Sequence, residues 1–352
     1  MSNHRTKTAR LQDGSQCTIL VHHLCGKIWL LIDIASLTCY NYCMSLYAIT
    51  TYFNSARYQT KLNNYRLFRE RLHVPLIAVE LSFDGEFELV STDADVVVQL
   101  HGGAVLWQKE RLMNVALAHL PPDCTAVAWI DNDVLFESNT WAESAQHKLE
   151  QYQMVQLFSR SVDLRPGETN ISAEPEYYAQ GLIARIESKG ISALERQSKY
   201  SWGHPRREVM PGLAWCIRRD VIDQHGFYDA MIMGAADRMF LHAAYGEISQ
   251  VPTTVLMTEP HFAHYLKWAQ PFYNTVQGSV GYIDHTVYHL WHGEIPNRRY
   301  WDRHNAVVKL GFDPATDIKH GDNGAWHWAR PCPELEHYCI DYFQQRLEDG
   351  ND

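Results

Sequence analysis

The 352-residue sequence predicts an α/β fold, a mixed central sheet flanked by helices, and three observations predict it. Short apolar runs alternate with amphipathic helical periods through the first half of the chain. Hydrophobic residues make up 46% of the sequence, ample for a large core. One apolar run, Ala126 to Ile130, ends abruptly in Asp131-Asn132-Asp133 before resuming as Val134-Leu135-Phe136. Acids at the end of a buried strand are expected where open α/β sheets collect their ligands.

The first 43 residues are expected to be an extension whose status the sequence leaves open. Met44 onward, MSLYAITTYFN, reads as the start of a complete domain, and the alternative is an extra strand and helix on the sheet edge. No ordinary signal peptide is visible, and the apolar stretch Ile28 to Phe53 is interrupted by Asp33 and Asn41, which argues against a membrane span. Eight cysteines without CxxC pairing fit a reducing compartment and no structural zinc, so the expected location is cytoplasmic. A formal net charge of −10 argues against a surface built wholly to grip nucleic acid. The 11 Trp and 19 Tyr lean weakly toward sugars or bases as ligands.

Taken in order, Leu46 to Thr51 is an expected strand. Thr60 to Leu72 has Leu62, Tyr65, Phe68, Arg69 and Leu72 at helical spacing and ends at Val74-Pro75. Leu76 to Phe83 is a second strand, so the unit is strand, helix, strand, with the parallel right-handed crossover such units carry. Val96 to Leu100 is a third strand, and Val105 to Leu120 a helix that stops before Pro121-Pro122. The order βαβ, β, α, β is half of a nucleotide-binding α/β domain.

In extended geometry Asp131 and Asp133 would share one face and reach one hard cation, with Asn132 turned away. The plainer alternative is an Asp-Asn turn in which short polar side chains bond local backbone.

The strand running into Thr51-Tyr52-Phe53, the helix that opens Trp107-Gln108-Lys109-Glu110-Arg111-Leu112-Met113-Asn114, and WIDNDVLF resemble glycosyltransferases of the GT-A fold. Those enzymes bind a nucleotide-sugar through a divalent metal held by a DxD motif. WQKERLMNV is similar to the helix of the beta-1,4-galactosyltransferase family that reads FNRAKLLNV. The wider similarity is to the group that includes the polypeptide N-acetylgalactosaminyltransferases. The resemblance covers residues 44–310, leaving 311–352 as a tail packed on the domain. It implies that Thr51, Tyr52 and Phe53 border the nucleotide, that Trp107 lies by its base, that Lys109 stands where the family has an Arg, and that Asn114 is the helix Asn. Taken without the resemblance, Trp107 is a core residue, Lys109 a solvated charge and Asn114 a local hydrogen-bonding group.

Downstream, Trp141 to Gln151 reads as a helix and Met154 to Phe158 as a strand. Residues 165–208 form a long polar insertion, with one helical stretch at Tyr177 to Lys189, and are expected to be a lid or binding loop. Trp202 to Arg207 offers an aromatic face and two guanidinium groups, or simply a basic turn. Met210 to Ile217 reads as a strand, Asp220 as a helix cap and Gly226 as that helix's stop. Gly234-Ala235-Ala236-Asp237 then precedes a helix. This block is similar to the acceptor side of galactosyltransferase-type enzymes, although GAAD lacks a Gly and the adjacent second acid of the family's motif. By that similarity Asp237 is the catalytic base; otherwise it is a helix cap.

His289 and His292 are three apart, a spacing that meets on a helical turn. The galactosyltransferase family carries metal ligands at this spacing, the second being His, and imidazoles joining carboxylates are a common divalent-metal set. Asp131, Asp133, His289 and His292 are thus the expected ligands of Mn²⁺ or Mg²⁺. Arg298, Arg299 and Arg303 follow as a possible diphosphate clamp, with Asn132 beside the donor. A final helix is expected near Cys339 to Leu347.

Together these readings point to transfer of a sugar from a nucleotide-diphosphate sugar, a UDP-sugar for preference, to a hydroxyl acceptor in a glycan, a protein or a modified DNA base, with inversion. Two rivals stand beside it. A nucleotidyltransferase also uses paired acids and a metal but needs a Gly-rich phosphate loop, absent from TTYFNSARY. A non-catalytic sugar-binding module would keep the sheet without needing a metal set.

Overall fold

The computed structural model describes residues 4–10, 16–24, 27–32, 45–171, 177–194, 208–300 and 302–350. The chain divides into two compact units, Met1–Met44 and Ser45–Asp352. In the first, strands β1 (His4–Arg10), β2 (Gln16–Leu24) and β3 (Lys27–Ile32) pair as an antiparallel meander.

The second unit opens with β4 (Ser45–Phe53), α1 (Gln59–Arg71), β5 (Leu76–Ser82), β6 (Val96–His101), α2 (Lys109–Leu117) and β7 (Cys124–Ile130). These are the elements the apolar periods predict, with α2 shorter at both ends than its sequence pattern. β5 is buried along its whole length, as a strand covered on both faces must be. The chain continues through β8 (Val134–Phe136), α3 (Trp141–Leu149), β9 (Met154–Gln156), β10 (Arg160–Asp163), β11 (Ala179–Gly181) and α4 (Leu182–Lys189). Then come β12 (Val209–Met210), β13 (Ala214–Arg218), α5 (Arg219–His225), α6 (Ala236–Tyr245), α7 (Glu259–Val276), β14 (Val280–Tyr282) and β15 (Thr286–His289). Helices α8 (Asp302–Lys309) and α9 (Pro314–Asp317), the hairpin β16 (Ile318–His320) and β17 (Trp326–Trp328), and α10 (Pro333–Gln344) complete it.

The fold is α/β. A seven-stranded mixed sheet runs in the order β14-β9-β13-β7-β4-β5-β6 with helices against it. β7, β4, β5 and β6 are mutually parallel, and β13 enters antiparallel to β7. A second sheet has the order β12-β11-β10-β15-β8. Among the described residues, no helix is long and apolar enough to cross a membrane.

The two sheets account for most departures from the expected elements. WIDNDVLF is not one interrupted strand: β7 belongs to the large sheet and β8 to the small one, and residues 131–133 are the crossing. Met210 to Ile217 splits in the same way, at Pro211-Gly212-Leu213, where Leu213 takes a positive φ of 77°. Within Tyr177 to Lys189 the first part is β11, and the helix begins only at Leu182. Asp220 is not a cap, because Arg218 holds that position and ties up the Asp220 carboxylate with its guanidinium at 2.9–3.0 Å. Gly226 does end that helix, with φ of 60°. The last helix starts at Pro333 and stops at Gln344, so residues 345–350 leave it as irregular chain. The expected aromatic and basic patch Trp202 to Arg207, and part of the expected 165–208 insertion, lie outside the described residues.

Candidate active site

A cavity of about 250 Å³ opens where the parallel strands end. Its floor is made by the crossing between the sheets. β7 delivers Asp131, whose backbone N–H bonds Leu213 O at 2.8 Å, and a turn closes with Val134 N–H on Asp131 O at 3.2 Å. The side chain of Asn132 donates to Thr51 O at 2.7 Å, tying the turn to the end of β4. In place of the expected extended geometry a turn separates the two acids, and they meet different neighbours.

Asp131 pairs with Lys109, whose Nζ lies 2.5 Å from Asp131 Oδ1 and 3.8 Å from Asp237 Oδ1. Burial works against the Lys109 charge but is outweighed by Asp131, Asp237 and Glu110, which hold its pKa above the ordinary lysine value. Burial pushes Asp131 the other way, up to about 6 in spite of Lys109. Glu110, buried behind this pair, is pushed by burial to about 8, and its Oε2 has no hydrogen-bond partner among the described residues. Lys109 is thus a buried counter-ion, not a solvated charge.

Asp133 goes to the histidines, and strand register explains why. β8 and β15 pair antiparallel with Val134 opposite His289, and Leu290 N–H bonds Asp133 O at 2.8 Å. His289 is therefore the last residue of a strand and His292 follows in a loop; the pair does not sit on a helical turn. The outcome is still convergence. His292 Nε2 is 3.2 Å from Asp133 Oδ2 and 3.2 Å from His289 Nε2, and His289 Nε2 is 3.7 Å from Asp133 Oδ1. Among the described residues, Asp133, His289 and His292 form a group whose ligand atoms all lie within 4.8 Å of one another. Asp131 is not in it. Burial, helped by the charge of Arg298, pushes His292 down to about 3, so its imidazole is neutral and can ligate. Burial alone would raise Asp133, yet His289, His292 and Arg298 hold it below the ordinary carboxylate range.

A divalent cation fits these residues. Asp133 Oδ1 is buried and has no hydrogen-bond partner among the described residues, a costly arrangement for a carboxylate oxygen unless something positive meets it. One carboxylate and two imidazoles are a suitable donor set.

The remaining sequence candidates divide by geometry. Thr51, Phe53, Trp107, Asp237, Arg298 and Arg303 line the cavity. Trp107 stacks on Phe343 with centroids 6.3 Å apart, and the guanidinium carbons of Arg346 and Arg303 lie 5.6 and 5.8 Å from its ring. Arg298 and Arg303 are buried; Arg298 donates to Tyr300 OH at 3.2 Å and Arg303 to Tyr342 OH at 2.9 Å. Arg298 Nε is buried without an acceptor among the described residues. Arg299 instead bonds Gln345 at 2.7 Å and does not line the cavity.

Tyr52 and Asn114 are not brought to the cavity. Strand alternation turns Tyr52 to the face opposite Thr51 and Phe53, where its OH bonds Glu88 at 3.1 Å. Asn114 is neither a cavity residue nor a local hydrogen-bonding group: it ties α2 to the loop after α5, donating to Phe227 O and Asp229 and accepting from Phe227 N–H at 2.8–2.9 Å. Asp237 stands in the first turn of α6 with its carboxylate against Gly212, where an added Cβ would lie 2.6 Å from Oδ2. The cavity also takes Lys61 from α1, and Arg346 and Glu348 from the segment after α10. No short-range pattern marks these three; they meet the site only through tertiary packing.

No protein-family model matches the chain, and no curated protein matches it. Among solved structures, the chain is similar to S. aureus TarS 1-349 at 12% identity, with 77% of this chain and 68% of that one covered and a TM-score of 0.35. The same fragment in complex with UDP-GlcNAc aligns at 12% identity over the same shares, with a TM-score of 0.36. A 4-diphosphocytidyl-2C-methyl-D-erythritol synthase from Anaerococcus prevotii aligns at 11% identity over 68% of this chain and 86% of its own, with a TM-score of 0.30. Likeness at this level carries no inference about chemistry.

Proposed function

We propose that this chain is a metal-dependent glycosyltransferase of GT-A type that moves a sugar from a nucleotide-diphosphate sugar, a UDP-sugar, to a hydroxyl acceptor. The observation that carries the reading is a pair of groups in one cavity left unmet among the described residues: Asp133 Oδ1, a buried acceptor that calls for a cation, and Arg298 Nε, a buried donor that calls for an anion. A cation-bound diphosphate answers both at once.

In this reading Asp133, His289 and His292 hold Mn²⁺ or Mg²⁺, which when bound neutralises charge developing on the leaving diphosphate. Arg298 and Arg303 meet the phosphate oxygens, and their burial strengthens that attraction. Trp107 offers the nucleotide base an aromatic face. Asp237 takes the proton of the acceptor hydroxyl as its oxygen attacks the anomeric carbon and the bond from that carbon to the diphosphate oxygen breaks. Lys109, held charged by Asp131, steadies the Asp237 carboxylate from 3.8 Å. Acceptors of the glycan, protein and modified-base classes all present the required hydroxyl.

The test is incubation with Mn²⁺ and a panel of nucleotide-sugars while free nucleotide is followed. Slow release from one donor, abolished by chelation, is expected. No release from any nucleotide-sugar, with pyrophosphate formed from a nucleoside triphosphate instead, would replace this reading with a nucleotidyltransferase.

A further inference from the structure

His289 and His292 are held from behind by different parts of the chain. For His289 the register of the small sheet suffices: Asp163 pairs with it across β10 and β15, and Asp163 Oδ1 lies 2.8 Å from His289 Nδ1. His292 has no strand neighbour. Its Nδ1 faces the segment after α10, with Arg346 Nη2 at 3.4 Å and Glu348 Oε1 at 3.7 Å.

That segment is fastened at several points. Tyr58 OH donates toward Gln344 O at 2.6 Å and accepts from Leu347 N–H at 3.0 Å. The Asp349 carboxylate accepts from Gln59 N–H and Thr60 N–H at 3.0 and 2.7 Å, meeting the first orphan donors of α1, which has no side-chain cap of its own. Gly293, at φ 87°, lets the segment approach, since a Cβ there would stand 2.9 Å from Arg346 O. Glu348 is consequently buried, 3% exposed, and Arg346 Nε lies 2.5 Å from its Oε1.

The tautomer of His292 depends on which of these two neighbours its Nδ1 meets. Arg346 can only donate, so bonding to it makes Nδ1 an acceptor and leaves the proton on Nε2, where it faces Asp133 Oδ2. A cation at Nε2 requires the opposite tautomer. The Nε2 proton leaves to solvent, another is taken up at Nδ1, the ring stays neutral, and the new Nδ1–H requires an acceptor.

We propose that Glu348 is a positioning residue that accepts the Nδ1 proton of His292 and so presents the His292 Nε2 lone pair to a divalent cation shared with Asp133 and His289. The inference rests on the metal reading above and adds to it a carboxylate from the far end of the chain. Carboxylates behind ligating imidazoles fix ring and tautomer together, and losing one typically weakens metal binding by about 10–100-fold.

The experiment titrates the full chain with Mn²⁺ alone by calorimetry. Glu348→Ala is expected to bind about 10–100-fold more weakly than wild type, with Glu348→Gln in between because its amide oxygen still accepts. Nitrogen NMR of the Zn²⁺-loaded wild type is expected to show His292 protonated at Nδ1. If Glu348→Ala unfolds because Arg346 is left unpaired, the double variant Arg346→Met with Glu348→Met removes both charges and is expected to show the same loss. Wild-type affinity in the folded variants, or His292 protonated at Nε2 with metal bound, overturns the role of Glu348 and leaves the metal site standing. If wild type binds no Mn²⁺, the metal reading itself fails and takes this inference with it.

Discussion

Lys109 Nζ stands 2.5 Å from Asp131 Oδ1, and this half-buried ion pair sets Asp131 apart from Asp133 across the 131–133 turn. Asp131 secures a cation beside Asp237, while Asp133 faces two imidazoles on the other side of the crossing. The division follows the two-sheet topology: β7 ends in one sheet, β8 starts in the other, and a turn joins them.

Asp237→Asn is expected to leave UDP-sugar affinity nearly unchanged and to lower transfer by roughly 10²–10⁴-fold, the range for a lost general base. Turnover with a saturating donor, set beside a binding titration, checks it. Ala235, not Asp237, occupies the cap position of α6, so the substitution removes no helix cap. A wild-type rate would remove Asp237 as the base.

Gly212→Ala tests the same carboxylate without touching it. The added Cβ would lie 2.6 Å from Asp237 Oδ2 and 3.1 Å from Cγ, so the carboxylate must move. A shift near 1 Å in a reacting group costs up to about 100-fold, and kcat should fall by roughly 10–100-fold with the donor KM little changed. Unchanged kcat would place the acceptor proton elsewhere.

Glu110 supplies a pH signature. Burial raises its carboxyl from 4.5 to about 8, so the folded state favours the protonated form. Stability from this group is fully present below about 4.5 and is lost as pH rises toward about 8. Glu110→Gln removes that dependence, and its melting temperature should fall less steeply than that of wild type across the same window. Parallel slopes in the two proteins would show that Glu110 is not buried as described.

The first half of the fold was legible because β4, α1, β5, β6 and β7 carry their own periodicity. Splits at residues 131–133 and 211–213 were not, since a change of sheet leaves no mark in hydropathy. The cluster of Asp133, His289 and His292 was readable in part: residue type marks all three, whereas the strand register that joins them and the ion pair that engages Asp131 depend on tertiary packing. Tyr52 was misplaced for want of the strand's phase, which fixes the faces of Thr51 and Phe53 as well. Lys61, Asp163, Arg346 and Glu348 reach the cavity or its two histidines across long sequence separations, and no local pattern announces them.

The central claim is that Asp133 anchors a cation on which donor binding depends. Calorimetric titration of wild type and Asp133→Ala with UDP, in the presence and absence of Mn²⁺, tests it most directly. The account predicts Mn²⁺-dependent UDP binding in wild type and its loss in a folded Asp133→Ala protein. Wild-type UDP affinity in Asp133→Ala, with the same response to Mn²⁺, would contradict it.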